Sequence, residues 1–223
     1  MSAGEAVDPT LATIWSRRSV RFGFADRPLP SEVVDQIVAA GLAAPSSKDA
    51  KPWRLHVVTD RDLLQSIGAA ARRAPGIEDY VPHDPASGEP RPEYHSTVIE
   101  SCETLEAVPL AIFVENRGVF SSGRDALLGA TTEHRAAALM GYGLELMGLG
   151  AAIENMWLAA VALGLGGVLL GDVLIAEDAI VEALGIEGDV VGVLALGPVA
   201  EPPAVRIPAV HDDPRVVWRP ARP

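Results

Sequence analysis

The chain has 223 residues, 48% of them hydrophobic, and a formal net charge of -12, from 18 Lys and Arg against 30 Asp and Glu. That length and apolar content supply one generous core. The acidic balance argues against nucleic acid or an anionic membrane surface as the main partner. A single cysteine, Cys102, excludes an internal disulfide and points to a reducing compartment; the opening MSAGEAVDP lacks the pattern of a secretory leader, so a cytoplasmic protein is expected.

Residues 1–10 are expected to be frayed. Leu11, Ile14 and Trp15 follow helical spacing and run into Arg17-Arg18-Ser19-Val20-Arg21-Phe22. Three arginines and a hydroxyl within five residues offer forked donors suited to phosphate and carbonyl oxygens. The same run also reads as a solvated basic turn. Pro30 and Ser31 predict a helix over Glu32 to about Ala43, with Ser31 as its N-cap. The loop Ala44–Trp53 carries two prolines, two serines, two lysines and an acid, then opens the strand Arg54–Thr59. A polar loop between a helix and a buried strand is a common place for ligand contacts.

Asp60 or Asp62 caps a helix to about Arg73. Residues 75–93, rich in Pro, Gly and acids, read as a long excursion, of the kind that serves as a lid or a partner-wrapping arm. A helix over Ser96–Glu106 and a strand over Pro109–Glu115 follow, then a loop over 116–132 and a helix from Glu133 to Met147.

The stretch Gly148–Asp172 is apolar on every helical face except at Glu154 and Asn155, which predicts a helix buried all round. Ala151, Ala152, Ala159 and Ala160 would let a second helix or a flat ligand approach closely. The run Gly164–Gly167 should end the helix, and Val168–Gly171 should be a short extended piece or tight turn. A core helix with no further role is an equal reading at this point. A membrane span is rejected, because the ion-free segment Met156–Gly171 is sixteen residues long, against the roughly twenty that a bilayer needs. Ala176–Leu184 reads as a helix ended by Gly185, and Val190–Leu196 as a third buried strand. The proline-rich tail from about residue 200 reads as an arm over its own subunit or a partner. With no repeat and no convincing boundary, residues 1–223 read as a single domain with the 75–93 excursion and that arm.

Several familiar chemistries find no support. Gly164, Gly166 and Gly167 follow a helix and lack dinucleotide-binding spacing. No P-loop lysine or nucleophile elbow occurs. His56, His83, His95, His134 and His211 are scattered without metal-ligand spacing, so no metal is expected. Cys102 reads as a packed thiol, and no side chain is assigned a catalytic role.

In order and separation, RRSVRFGF at 17–24, APSSKDAKPWRLHVV at 44–58, GAAIENMWLAAVALGLGGVLLGD at 150–172 and LALGPV at 194–199 resemble the nitroreductase-like flavoprotein family. The resemblance implies an α+β fold: a mixed central sheet flanked by helices, with the long central helix at a homodimer interface. It implies FMN bound there without a covalent link. Arg17, Arg18, Ser19 and Arg206 would hold the phosphate and ribityl chain, and Arg21 would lie near the pyrimidine edge. Pro45, Ser46, Ser47 and Asp49 would come from the second subunit, and Leu169, Leu170 and Gly171 would present backbone to the ring. Asp49 and Lys51 depart from the Asn and Gln usual in the family; an ionised Asp can only accept where Asn can donate.

The implied activity is hydride transfer from NAD(P)H, as co-substrate, through FMN to an electron-poor small molecule such as a nitroaromatic, a quinone or an activated alkene. One alternative is a flavin-dependent dehydrogenase or oxidase of a biosynthetic intermediate. The other is a non-catalytic flavin- or deazaflavin-binding protein.

Overall fold

The computed structural model describes residues 7–84, 86–91, 96–208 and 213–219. The end of the excursion with Tyr94 and His95, and His211 in the tail, lie outside the described residues. Seven α-helices and four strands are found among them: α1 Pro9–Ser16, α2 Ser31–Leu42, β1 Trp53–Val58, α3 Arg61–Arg72, α4 Thr97–Ala107, β2 Leu110–Asn116, α5 Arg124–Leu128, α6 Arg135–Ala162, β3 Leu165–Leu170, α7 Glu177–Leu184 and β4 Asp189–Pro198.

The strands form one sheet in the order β1-β2-β4-β3, every neighbouring pair antiparallel. The parallel pairing expected of a mixed sheet is confined to one bridge, Ser19 to Gly167, where the basic segment meets the edge strand β3. β2 is central and buried at all seven positions. Because strand side chains alternate between faces, Ala111 and Phe113 pack with Leu64, Ile67, Cys102, Leu105 and Ile180 from α3, α4 and α7. Leu110, Ile112 and Val114 face the other way, onto Ile37 of α2 and Leu149, Ala152, Met156 and Trp157 of α6. The result is three layers, with α2 and α6 on one side of the sheet and α3, α4 and α7 on the other.

Side-chain capping sets the starts of α1, α3 and α4. Asp8 accepts from the Thr10 and Leu11 amides, so the chain is already helical at Pro9, earlier than the frayed start expected. Asp60 accepts from the Asp62 and Leu63 amides, and Ser96 from Val98. Ser31 is the first residue of α2 and not its cap; Pro30 occupies the cap position, with no side-chain hydrogen bond there. The loop expected over 116–132 contains α5.

The predicted Glu133–Met147 helix and the central helix are one 28-residue element, α6. By length and composition it could cross a bilayer, yet its sequence also carries Glu145 and Glu154, and one face packs on the sheet and α2. Gly41 of α2 permits that approach, since a Cβ there would lie 2.6 Å from Met156 Cγ. Burial all round is not what a single chain shows. Met140 and Met147 on the opposite side of α6 are 68% and 66% exposed, and Leu139 near its N-terminal end is 59% exposed.

Gly164 alone ends the helix, at φ +79°. Gly166 and Gly167 belong instead to β3, which begins earlier than the predicted extended piece. A Cβ on Gly166 would lie 2.5 Å from Val199, and one on Gly167 would lie 2.5 Å from the Ala195 carbonyl. Glycine is required there by close packing of strands and not by helix termination.

Candidate functional site

The basic segment leaves α1 in an extended conformation and lies along β3. The Val20 amide donates to Gly167 O at 2.9 Å, and the Ala25 amide to Pro198 O at 2.9 Å. Arg17 closes α1; its Nε lies 3.0 Å from Glu154 Oε1, and its guanidinium sits 4.5 Å above the Trp157 ring. Arg18 turns back to donate to the Arg17 carbonyl at 2.6 Å. The tail returns to this same corner: the Arg206 amide donates to Trp15 O at 3.1 Å. Arg206, distant in sequence, therefore shares a corner with Arg17, Arg18 and Ser19. Trp157 Nε1, on the ring beneath Arg17, is a buried donor with no acceptor among the described residues. Buried donors are normally paired, so this corner has hydrogen-bonding capacity to spare.

Arg21 lies further along, with Nε 3.3 Å from Glu100 Oε1. Together with Leu169, Leu170 and Gly171 it lines a cavity of about 470 Å³ that Pro82, Thr97 and Asp172 help to enclose. Pro82 belongs to the excursion, and the Thr97 amide ties it down through a 2.7 Å bond to Tyr80 O. The excursion thus forms part of the wall of this cavity.

Pro45, Ser46 and Ser47 line a separate groove of about 380 Å³ against Leu144, Met147, Gly148 and Ala151 of α6. A Cβ on Gly148 would lie 3.3 Å from Ser46 Cβ. Trp157, under Arg17, follows Gly148 by nine residues, about half a turn round the helix and about 14 Å along it. The serine loop and the arginine corner therefore lie on opposite sides of α6, and one chain does not bring them together.

The serine loop is strained. Lys48, Asp49 and Lys51 all have left-handed backbone, at φ 52°, 54° and 47°. L-residues other than Asn and Asp rarely adopt it, and such strain persists where the surroundings impose it. Ser46 imposes much of it here: its Oγ accepts from the Lys51 amide at 2.9 Å and its carbonyl from the Asp49 amide at 3.1 Å. Asp49 pairs with Lys51 at 3.3 Å. Lys48 instead places Nζ 5.7 Å from the centre of the Phe120 ring.

Phe120 is held by a residue that sequence reasoning missed. Glu145 of α6 is fully buried, and its carboxylate accepts from the Phe120 and Ser121 amides, Ser121 Oγ and Asn116 Nδ2. Burial pushes this carboxyl up, but those hydrogen bonds outweigh it and leave it below the ordinary value of 4.5. A lone acid in the otherwise apolar run Ala136–Ile153 was the available signal. Tyr80 and Tyr142 line neither the cavity nor the groove. No cluster of His, Cys, Asp and Glu suited to a metal occurs among the described residues.

The "Nitroreductase family" model matches residues 14–198. The nitrobenzene nitroreductase of Ectopseudomonas oleovorans is 36% identical over 90 residues, 40% of this chain and 39% of that protein. The matched stretches span 36–39% of the length of the first curated relatives. Among solved structures, the NADPH:FMN oxidoreductase of Vibrio harveyi, complexed with NAD+, superposes with a TM-score of 0.64 at 20% identity, covering 97% of this chain and 79% of that one. A nitroreductase-type structure from Desulfovibrio desulfuricans, in complex with FMN, gives 0.61 at 21% identity, covering 97% and 100%. With the family match spanning most of its length and the same fold in both structures, the chain belongs to the Nitroreductase family.

Proposed function

We propose that the protein is an FMN-dependent oxidoreductase that carries reducing equivalents from NAD(P)H to an electron-poor small molecule, working as a cytoplasmic homodimer. The observation that carries this reading is the convergence of Arg17, Arg18, Ser19 and Arg206 at one corner, beside a cavity lined by Arg21 and the Leu169–Gly171 backbone. The donor set fits the cofactor. A phosphate dianion calls for several forked donors, and Trp157 Nε1 is a further donor with no acceptor among the described residues. FMN, when bound, supplies the hydride-accepting and hydride-donating chemistry.

The chain's own residues bind and orient. Arg17, Arg18, Ser19 and Arg206 hold the phosphate and ribityl chain. The Arg21 cation would offset negative charge on the flavin's pyrimidine edge, and the Leu169–Gly171 backbone, which lines the same cavity, would face the ring. Pro45, Ser46, Ser47 and Asp49 complete the site from the second copy. Two observations support that pairing: the two half-sites lie on opposite sides of α6, and the exposed Leu139, Met140 and Met147 need a cover. Asp49, already paired with Lys51, contributes backbone and not a donor side chain.

A second reading, a dehydrogenase or oxidase of a biosynthetic intermediate using oxygen, is favoured by the wall that Pro82 adds to the cavity. Stimulation of NADPH oxidation by added quinone separates the two. The test of binding is the variant Arg17→Ala/Arg206→Ala. Wild-type protein is expected to carry FMN near one per chain, and the variant to remain folded and dimeric but colourless. Stoichiometric FMN in the variant overturns the phosphate assignment.

A further inference from the structure

Lys48 follows Ser47 of the serine-loop groove and reaches the Phe120 ring, beside the N-terminal half of α6. The groove runs from Gly148 toward Leu144. Gly141, about 10 Å from Gly148 along the axis, lies against the Phe120 backbone, since a Cβ there would sit 3.4 Å from Phe120 O. The Phe120 amide is fixed by the buried Glu145 carboxylate, and the residue is 37% exposed. Lys48, the residue after Ser47, is held at φ 52° with its ammonium near that ring.

The charges in this loop are uneven. Asp49 is engaged by Lys51 at 3.3 Å, and Glu145 is enclosed by four donors. Lys48 has no ion pair among the described residues, so it is the cation left over. We propose that Lys48 and Phe120 form an acceptor subsite for small aromatic acids, with the ring stacked beside Phe120 and the carboxylate on Lys48. This names the substrate class of the oxidoreductase site and rests on that reading.

The net charge of -12 would repel such an acid at long range. At about 0.15 M salt, however, the Debye length is about 8 Å, and the cation within contact distance decides. The aromatic face adds a stacking surface that a neutral aliphatic acceptor does not use.

The test uses the purified FMN-loaded protein with benzoate and benzyl alcohol as calorimetric probes, and 4-nitrobenzoate and 4-nitrobenzyl alcohol as turnover pairs. Benzoate should bind more tightly than benzyl alcohol, and less so as salt rises. Lys48→Gln should weaken benzoate about five- to tenfold and lower the kcat/KM ratio of the nitro acid to the nitro alcohol by the same factor. Lys48→Arg should restore both, and Phe120→Leu should weaken both probes. Equal benzoate affinity in wild type and Lys48→Gln overturns the subsite, as does turnover of both nitro compounds without an acid preference. Lys48-dependent benzoate binding in a protein that oxidises NAD(P)H with neither nitro compound nor an added quinone supports the subsite and overturns the oxidoreductase reading.

Discussion

Glu145 is the position where the structure predicts the sharpest stability effect. Its carboxylate, 0% exposed, is the shared acceptor for two amides, a hydroxyl and a carboxamide. Glu145→Ala leaves those donors facing a cavity and should cost about 3–5 kcal/mol. Glu145→Gln is more informative. Its oxygen can keep the Phe120 and Ser121 amides, and the Ser121 hydroxyl can rotate to accept from the new NH₂. Asn116 cannot adapt in the same way, because its Oδ1 already accepts from the Gly118 amide at 3.1 Å. One donor therefore faces another, a loss of about 1–3 kcal/mol.

Urea unfolding midpoints of the three proteins measure this. pH gives an independent check. A carboxyl held below its unfolded value of 4.5 contributes stability that is fully present above that value and is lost as pH falls through the folded value. The gap between wild type and Glu145→Gln should thus be constant near neutrality and narrow below about pH 4.5. Equal midpoints for wild type and Glu145→Gln, or a gap unchanged for as long as the protein stays folded in acid, would refute the reasoning.

Two further outcomes follow from packing. Cys102 is fully buried in the α3–α4 layer, and its thiol is pushed up to about 11 by burial despite the nearby Arg72 guanidinium. Ellman's reagent at about pH 8 should find no thiol in the native protein and one per chain after denaturation; rapid native labelling would place Cys102 elsewhere. Gly188 packs against the Asn116 carbonyl with no room for a Cβ, so Gly188→Ala should lose about 3 kcal/mol. A melting curve unchanged from wild type would show that the turn before β4 can shift.

Elements with one dominant local cause were legible in the sequence. Asp60 and Ser96 cap the helices they were expected to begin, and the strands expected over 109–115 and 190–196 are β2 and the body of β4. The glycine run was misassigned because two pressures produce the same residue. Gly164 supplies a left-handed backbone, whereas Gly166 and Gly167 answer the approach of Val199 and Ala195, which belong to distant parts of the chain. The arginine cluster at 17–21 was visible as a donor set. Its solvated-turn reading could be weighed only once Arg206 was found beside it and Trp157 beneath it.

The continuous apolar run at 110–114 by itself marked a strand buried on both faces, because side chains alternate along a strand; the sheet flanked by helices came only as what the family resemblance implies. Composition and periodicity also placed the polar loop at 44–53 beside the core and the cationic segment ahead of it. Only the tertiary structure decided where charges end up. Glu145 is an acid in a greasy helix until the 116–121 turn folds onto it with four donors, and Lys48 is one of two loop lysines until Asp49 chooses the other. Hydrophobic burial depends on area and reads from local sequence, whereas pairing a charge depends on angstrom-scale geometry between segments that meet only in the folded chain.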